Sequence, residues 1–370
     1  MRMYAHFFSI WLIVVITLFL AGCNAKKYYT PGKIDGQIVL HQSFGSPIES
    51  SNRYGATLKN GTILTQSGFL PPNKTITKDV RFLNESGGYY IFAKGCESVQ
   101  LIKTSVLDER VFENGVCTIK EQNTACTDEE IEIPTNFCAI TASLKNNLLA
   151  LIGRDNSMYI FDLSKNRLEP KFSQKGSSVI AVNELIAAPL FLESIVVFPT
   201  LDGRLLVVST KKFETERNII VSTDKFFNNI IYLEGDDLRI FAATPKKLIS
   251  ILSGQEFSYN TQIKDVLFHK GYLYVLTLDG KIAQLDQTLR EINTQKFAYA
   301  SLEGMAFADN MLFTLEKNGG FFIAVDLANF NYKVYQAQDT FGKIPPNKNI
   351  FYSKNMLYYD AYYFDCTGLK

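Results

Sequence analysis

The chain has 370 residues, with 38 Lys and Arg residues against 37 Asp and Glu residues. This balance excludes attraction to nucleic acid or to anionic lipid by bulk charge. The length exceeds the size at which one compact core usually divides, so we expect either two domains or a repeated architecture.

Residues 1–22 have the order of a secretory signal peptide. Arg2 gives a basic start, and the apolar run Phe7–Leu20 is followed by small residues. The alternative is a plain transmembrane anchor, but the run is shorter than the about 20 residues that a spanning helix needs. The segment is therefore interpreted as a signal peptide that is cleaved.

The end of this segment, Leu20-Ala21-Gly22-Cys23, resembles the lipobox of bacterial lipoproteins. The resemblance implies cleavage before Cys23 and acyl chains on that cysteine, which would hold the protein durably on a membrane. Cleavage would also remove Trp11, the single tryptophan of the chain.

Residues 23–36 are predicted to be a polar, lipid-anchored tether that leads to a folded body at residues 37–370. Asn24 follows the lipobox cysteine where an aspartate would indicate retention in the inner membrane. By the same resemblance, the outer membrane is favoured.

From residue 37 onward, short apolar runs alternate with Asn, Asp, Gly and Pro, which favours many short strands. Five units place two apolar runs around a tight turn, and Asp-Gly or Asn-Gly occupies several of these turns. The units span 148–162, 195–209, 238–252, 273–286 and 312–326. Their turns recur about every 41 residues, the period of a four-stranded β-propeller blade.

The two ends of the chain look incomplete. Asn60-Gly61 and Ser86-Gly87-Gly88 mark two further blades, but residues 38–44 form one early strand and residues 349–364 give strands without a full unit. We predict that the two ends share one blade and close the ring, because an open ring would expose edge strands. The fold class is all-β, a propeller of seven or eight four-stranded antiparallel blades, with eight preferred. Two stacked β-sandwiches would explain the length but not the period.

Most aromatic residues of the repeats are predicted to pack between blades, because their runs are apolar on both faces. The clearest examples are Phe161, Phe198, Phe241, Tyr274, Phe313 and Phe322.

Five cysteines remain besides Cys23, and export to an oxidising compartment favours disulfides. Cys117 and Cys126 flank a polar stretch that could form a hairpin, so this pair is favoured, and Cys96 with Cys138 comes next. Five is an odd number, and Cys366 is the choice for an unpaired thiol. No Cys-x-x-Cys motif and no nearby histidine supports a metal site.

Three blade ends, at 160–168, 284–292 and 324–335, are similar to the pyrroloquinoline-quinone-type propeller repeat. Asp162, Asp286 and Asp326 match the aspartate of that repeat, although its glycine and closing tryptophan are missing. A lipoprotein with such a propeller resembles the BamB family of accessory lipoproteins. The resemblance implies a position on the periplasmic face of the outer membrane and binding to the barrel-assembly insertase and unfolded outer-membrane proteins.

No catalytic residue, metal ligand or cofactor site is predicted. His41 lies in an early strand and His269 precedes a turn, and a lone histidine in such places is usually structural or solvated. A quinone-dependent enzyme would need aromatic stacking on its cofactor, whereas the mature chain lacks tryptophan.

We therefore predict a non-enzymatic, lipid-anchored periplasmic scaffold that binds envelope proteins, as an accessory of outer-membrane barrel assembly. The alternative is a surface-exposed adhesin or ligand-binding propeller. A quinone-dependent enzyme is the third and least supported interpretation.

Overall fold

The computed structural model describes residues 27–40, 42–70, 80–104, 110–113, 116–119, 130–165, 169–339 and 342–368. Strands dominate these ranges, and a short 3₁₀ turn, Cys366–Gly368, follows the last strand. Over the same ranges, we find no helix with the length and apolar character needed to cross a bilayer.

Two short strands precede the first blade, and the following strands are grouped by blade in chain order. The early strands are β1 (Gly36–Val39) and β2 (Gln42–Ser43). Blade 1 has β3 (Ile48–Ser51), β4 (Gly55–Leu58), β5 (Ile63–Thr65) and β6 (Phe69–Leu70). Blade 2 has β7 (Val80–Ser86), β8 (Tyr89–Lys94), β9 (Ser98–Lys103) and β12 (Glu130–Pro134), with the separate hairpin β10 (Arg110–Glu113) and β11 (Val116–Ile119) inserted before β12. Blade 3 has β13 (Ala139–Lys145), β14 (Leu148–Gly153), β15 (Ser157–Asp162) and β16 (Pro170–Lys175).

The remaining blades follow the same plan. Blade 4 has β17 (Leu190–Phe191), β18 (Ile195–Pro199), β19 (Arg204–Ser209) and β20 (Thr215–Ile220). Blade 5 has β21 (Tyr232–Asp236), β22 (Arg239–Ala243), β23 (Lys247–Leu252) and β24 (Gln255–Asn260). Blade 6 has β25 (Ile263–His269), β26 (Tyr272–Thr277), β27 (Lys281–Leu285) and β28 (Glu291–Lys296). Blade 7 has β29 (Leu302–Ala308), β30 (Met311–Glu316), β31 (Phe321–Asp326) and β32 (Tyr332–Asp339), with the two-residue β33 (Gly342–Lys343) beside β32. Blade 8 has β34 (Ile350–Ser353), β35 (Met356–Tyr359) and β36 (Tyr362–Asp365).

The two ends of the chain close the ring, as predicted. Strand β2 pairs antiparallel with β36 and becomes the fourth strand of blade 8. The eight-bladed, four-stranded, antiparallel propeller predicted from the repeat period is therefore confirmed. The early segment differs from the prediction in one respect: it is two strands, because β1 first adds to blade 7 in parallel to β32.

Eight apolar clusters form the core of the described part of the chain, and each lies between two neighbouring blades. The cluster around Ile48 and Phe351, for example, joins blade 1 to blade 8. The six aromatic residues predicted to pack between blades are buried in these clusters. Each blade is too thin to bury its own apolar faces, so ring closure completes the core.

Antiparallel strands alternate in direction, so the connections of each blade fall at two opposite faces of the ring. The link face carries the turns between second and third strands, such as 278–280 and 317–320, and the links between blades, such as 221–231 and 297–301. The hairpin face carries the turns between first and second strands, such as 237–238 and 270–271, and those between third and fourth strands.

The polar segment predicted as a tether contacts the propeller from Lys27 onward. The Tyr29 ring packs edge-on against Phe297 and Phe321, with ring centroids 6.0 and 5.9 Å apart. The backbone amide of Asp35 donates to the Val334 carbonyl at 2.7 Å and so leads directly into β1. The N-terminal segment therefore meets the ring at blades 6 and 7.

Candidate functional site

The hairpin face opens into a cavity of about 400 Å³ at the centre of the ring. First strands of blades 5 to 8 supply its wall, through Tyr232, Phe268, Phe307 and Tyr352, and the turn of blade 1 supplies Tyr54. Successive residues of a strand point to opposite sides, so these first strands place alternate side chains toward the central channel. The result is a concave surface with an aromatic wall.

Polar groups fix the positions of these rings. The Tyr232 hydroxyl donates to Glu234 Oε2 at 2.6 Å and accepts from the Phe268 amide at 3.0 Å. Burial raises the pKa of Tyr232 well above its ordinary value, and the neighbouring Glu234 carboxylate raises it further. Tyr232 therefore stays a neutral hydrogen-bond donor at physiological pH.

His269 lies in the same wall, at the end of β25. Its ring stacks on Phe307, with centroids 4.1 Å apart and planes 10° from parallel. Burial lowers the pKa of His269, and the adjacent Lys270 lowers it further. The imidazole is therefore neutral at pH 7 and serves as a flat, half-buried contact surface.

A buried polar cluster forms the floor of this cavity. Arg53, from the turn between β3 and β4, contacts Asp265 Oδ1 at 2.5 Å, and its Nε donates to the Ile231 carbonyl at 2.7 Å. The Tyr352 hydroxyl donates to the other carboxylate oxygen of Asp265. Because Arg53 belongs to blade 1 and Asp265 to blade 6, the cluster crosses the central channel. We call Arg53, Asp265 and Tyr352 the plug.

The charges of the plug compensate each other. Burial alone would lower the pKa of Arg53, but the Asp265 carboxylate more than offsets this and raises it. Removing one member of such a pair leaves an uncompensated buried charge, which typically costs about 3–5 kcal/mol. The plug therefore stabilises the ring only as a complete set.

A second cavity, of about 490 Å³, lies on the other side of the plug and opens at the link face. Arg53 and Tyr352 line both cavities, so the plug separates them. In the second cavity Glu303 lies between two lysines, with its carboxylate 2.9 Å from the Lys264 ammonium and 2.8 Å from that of Lys317. Among the described residues, the plug therefore lies between two cavities with different linings.

Across the ranges that the structure describes, no three His, Cys, Asp or Glu side chains converge as a metal site would require. The features present in the hairpin-face cavity are aromatic rings, a neutral imidazole, and the charged Glu234 and Lys354 at its edge. Aromatic side chains with a few charged groups at the edge are typical of protein-binding surfaces. The arrangement is suited to holding a side chain or a short segment of another protein.

The predicted cysteine sites are described only in part. A disulfide joins Cys96, in the turn after β8, to Cys138, just before β13, and so links blades 2 and 3. Cys366 is a free, buried thiol, and burial raises its pKa. Cys23 and Cys126 lie outside the described residues, and Cys117 lies on β11, where only the backbone is described.

The aspartates that match the propeller repeat organise the turns between third and fourth strands. Asp286 Oδ1 accepts from the Thr288 amide at 2.9 Å and from its hydroxyl at 2.7 Å. Asp162 accepts in the same way from Ser164, and Asp326 accepts from the Ala328 amide at 2.8 Å. These are local turn-forming bonds, distant from the central cavity.

Sequence reasoning missed the plug. Arg53 and Asp265 are separated by 212 positions in the chain, and each is flanked by ordinary strand and turn residues. The sequence offered one indication, an Arg-Tyr pair in the turn of a short first blade. The partner of Arg53 could be identified only once the ring topology was known.

No model of a protein family matches the chain. Among solved structures, BamB from Moraxella catarrhalis superposes with a TM-score of 0.58 at 12% identity and covers 87% of this chain and 96% of its own. The computationally designed protein Ika8 gives a TM-score of 0.56 at 13% identity, with 90% of this chain and 98% of its own covered. At such low identity these likenesses establish the propeller fold alone.

Sequence similarity is much stronger to the plasminogen-binding protein PgbB of Helicobacter pylori. The protein of strain J99 is 40% identical over an alignment of 390 positions, which covers 97% of this chain and 72% of PgbB. The protein of strain 26695 is also 40% identical and gives nearly the same coverage. With this identity along almost the whole propeller, the chain belongs to the PgbB family.

Proposed function

We propose that this chain is a ligand-binding propeller and that its ligand is plasminogen. The observation that carries the proposal is the 40% identity to plasminogen-binding protein PgbB over 97% of the chain. The sequence-based alternative of a surface-exposed adhesin or ligand-binding propeller is thereby favoured over the barrel-assembly scaffold. The proposed activity is binding, without a chemical step.

The proposed contact is the cavity of the hairpin face. Its wall presents half-buried rings, including the stacked pair His269 and Phe307, and the exposed charges Glu234 and Lys354 lie at its edge. Rigid aromatic groups dominate the binding free energy of most protein interfaces, and charges at the edge tune association rates. The plug holds these rings in place from below.

We further propose that the chain is a lipoprotein of the cell envelope, acylated at Cys23 and held at the outer membrane. The support is the signal-like segment at residues 1–22 and its Leu-Ala-Gly-Cys end. If plasminogen is bound from outside the cell, the propeller must be accessible at the cell surface.

Binding of the purified chain to immobilised plasminogen, measured by surface plasmon resonance, tests the proposal. We expect saturable binding, and we expect His269→Ala to weaken it by about 1–2 kcal/mol, or roughly fivefold to thirtyfold in Kd. Lys354→Glu should change the association rate and its dependence on salt. Lys225→Glu is the matched control, because it reverses an exposed lysine on the link face.

If binding is saturable but unchanged in both hairpin-face variants, the plasminogen contact lies elsewhere on the propeller. Absence of plasminogen binding would contradict the proposal itself.

The propeller fold shared with BamB suggests a second candidate function, that of an accessory protein in barrel assembly. Crosslinking in living cells that captures the barrel-assembly insertase would favour that candidate.

A further inference from the structure

We propose that the link face lies against the lipid surface to which the chain is anchored, so that the hairpin face points away from it. This inference rests on the proposed acylation of Cys23, and the membrane that carries those acyl chains is the partner. Three observations support it: where the N-terminal segment contacts the ring, how short the chain before that contact is, and which side chains the link face exposes.

The N-terminal segment is fixed to the link face. The Lys27 ammonium lies 3.4 Å from the Tyr299 hydroxyl, in the link between blades 6 and 7, and 5.4 Å from the centre of its ring. Tyr29 then packs on Phe297 of the same link. Lys27 and Tyr29, near the start of the described residues, therefore both contact the ring at this face.

The chain between the anchor and this contact is short. Four Cα–Cα steps separate Cys23 from Lys27, and at 3.8 Å each they span at most about 15 Å. An acylated Cys23 lies at the level of the lipid headgroups, so Lys27 and Tyr299 lie within about 15 Å of that level. The hairpin face could not face the lipid without pulling this segment off the ring.

The link face exposes apolar side chains at several places around the channel. Leu278 is 57% exposed and Tyr299 is 56% exposed, and both line a surface depression of about 650 Å³ beside Lys27. Across the channel mouth, Ile180 is 81% exposed and lies beside Phe226 in a second depression. A surface of scattered aliphatic and aromatic groups with nearby lysines suits the boundary between headgroups and acyl chains.

Balanced charge indicates that this contact is mainly apolar. Several link-face lysines are paired, for example Lys296 with Asp279 and Lys246 with Asp224. Contact through the exposed rings and aliphatic side chains would depend little on anionic lipid or on salt, in contrast to binding by a basic patch. We therefore propose that the apolar side chains of the link face contact the lipid surface and that acylated Cys23 is the covalent anchor.

The absence of tryptophan from residues 23–370 makes a direct test possible. Leu278→Trp on the link face and Leu238→Trp on the hairpin face each introduce one reporter at an exposed leucine. The acylated full-length proteins are reconstituted into phosphatidylcholine vesicles with brominated acyl chains, and acylation is checked by intact mass. We expect about twofold quenching and a blue shift for Leu278→Trp, because interfacial side chains enter about 5–10 Å into the boundary region.

The tryptophan emission of Leu238→Trp should be the same, within error, in brominated vesicles and in vesicles without bromine. Equal or stronger quenching of Leu238→Trp would overturn the inference, and so would no quenching of either reporter in protein that is acylated and bound. Loss of acylation would remove both the proposed anchor and this inference. Plasminogen binding is measured without lipid, so its failure would leave the orientation result unaffected.

Discussion

At the scale of single residues, Glu303 shows how charge partners decide the protonation of a buried carboxyl. Burial alone would raise its pKa, but Lys264 and Lys317 more than offset burial and lower it. A carboxyl whose pKa is lower in the folded than in the unfolded state contributes stability that is fully present above the unfolded pKa. That contribution is lost as pH falls through the folded pKa.

Glu303→Gln should therefore destabilise the protein at pH 7 by about 1–2 kcal/mol, since two lysines then face each other without a carboxylate. The difference from the parent protein should shrink as pH is lowered below about 4.3, the usual pKa of an unfolded glutamate. Urea unfolding at several pH values measures it. Glu193→Gln, at an exposed position, is the control and should change little; an undiminished difference at low pH would contradict the argument.

Residues with local partners were predictable, and residues with distant partners were not. Asp286 bonds to groups two and four positions later, so its turn role can be read from the sequence alone. Arg53 bonds to groups 178 and 212 positions away, and its role depends on a closed ring. Residues from five blades form the candidate binding cavity, so no short sequence motif could predict it.

At the scale of the elements, Gly280 and Gly254 show two different reasons for glycine in a turn between strands: backbone conformation and lack of space for a side chain. Both have positive φ, +81° and +84°. A Cβ at Gly280 would collide with the Phe297 carbonyl oxygen, whereas a Cβ at Gly254 would meet no atom within 4 Å. The first turn therefore needs glycine for space as well as for conformation.

Gly254→Ala should cost about 1–2 kcal/mol, the usual penalty for a left-handed residue with a side chain. Gly280→Ala should cost more, because the link between blades 6 and 7 must shift to relieve the clash. The free energy of unfolding in urea measures both. Equal losses in the two variants would show that backbone conformation alone governs the turn at Gly280.

The blade period could be predicted because turn residues such as Asp279-Gly280 recur at nearly constant spacing. The early strand could not be divided correctly, because residues 38–44 form one short segment without a turn signal, although its two parts serve two blades. Strand β1 lies parallel to β32, and a parallel partner leaves no hairpin signal in the sequence.

At the scale of the whole molecule, closure depends on the N-terminal strands. Leu40 is buried between blades 7 and 8, whereas the preceding Val39 faces outward on the same segment. Displacing this segment would also remove β2 from blade 8 and leave β36 as an open edge. An open edge is a site for pairing with another chain.

Leu40→Asp should lower the free energy of unfolding by more than about 3 kcal/mol, because it buries an unpaired charge at the closing blade. Oligomers should also be visible by size-exclusion chromatography with light scattering. Val39→Asp places the same charge one residue earlier and should remain monomeric and stable. Similar behaviour of the two variants would show that closure does not depend on burial at Leu40.

The plug is a polar connection across the centre of the ring, besides the strand pairing that closes the ring at blade 8. The Arg53–Asp265 ion pair joins blade 1 to blade 6 across the channel, and Arg53 and Tyr352 line the cavities on both sides of it. A ligand at the bottom of the hairpin-face cavity would therefore contact the plug. The proposed ligand site and the proposed lipid-facing surface therefore lie on opposite faces of the ring, with the plug between their two cavities.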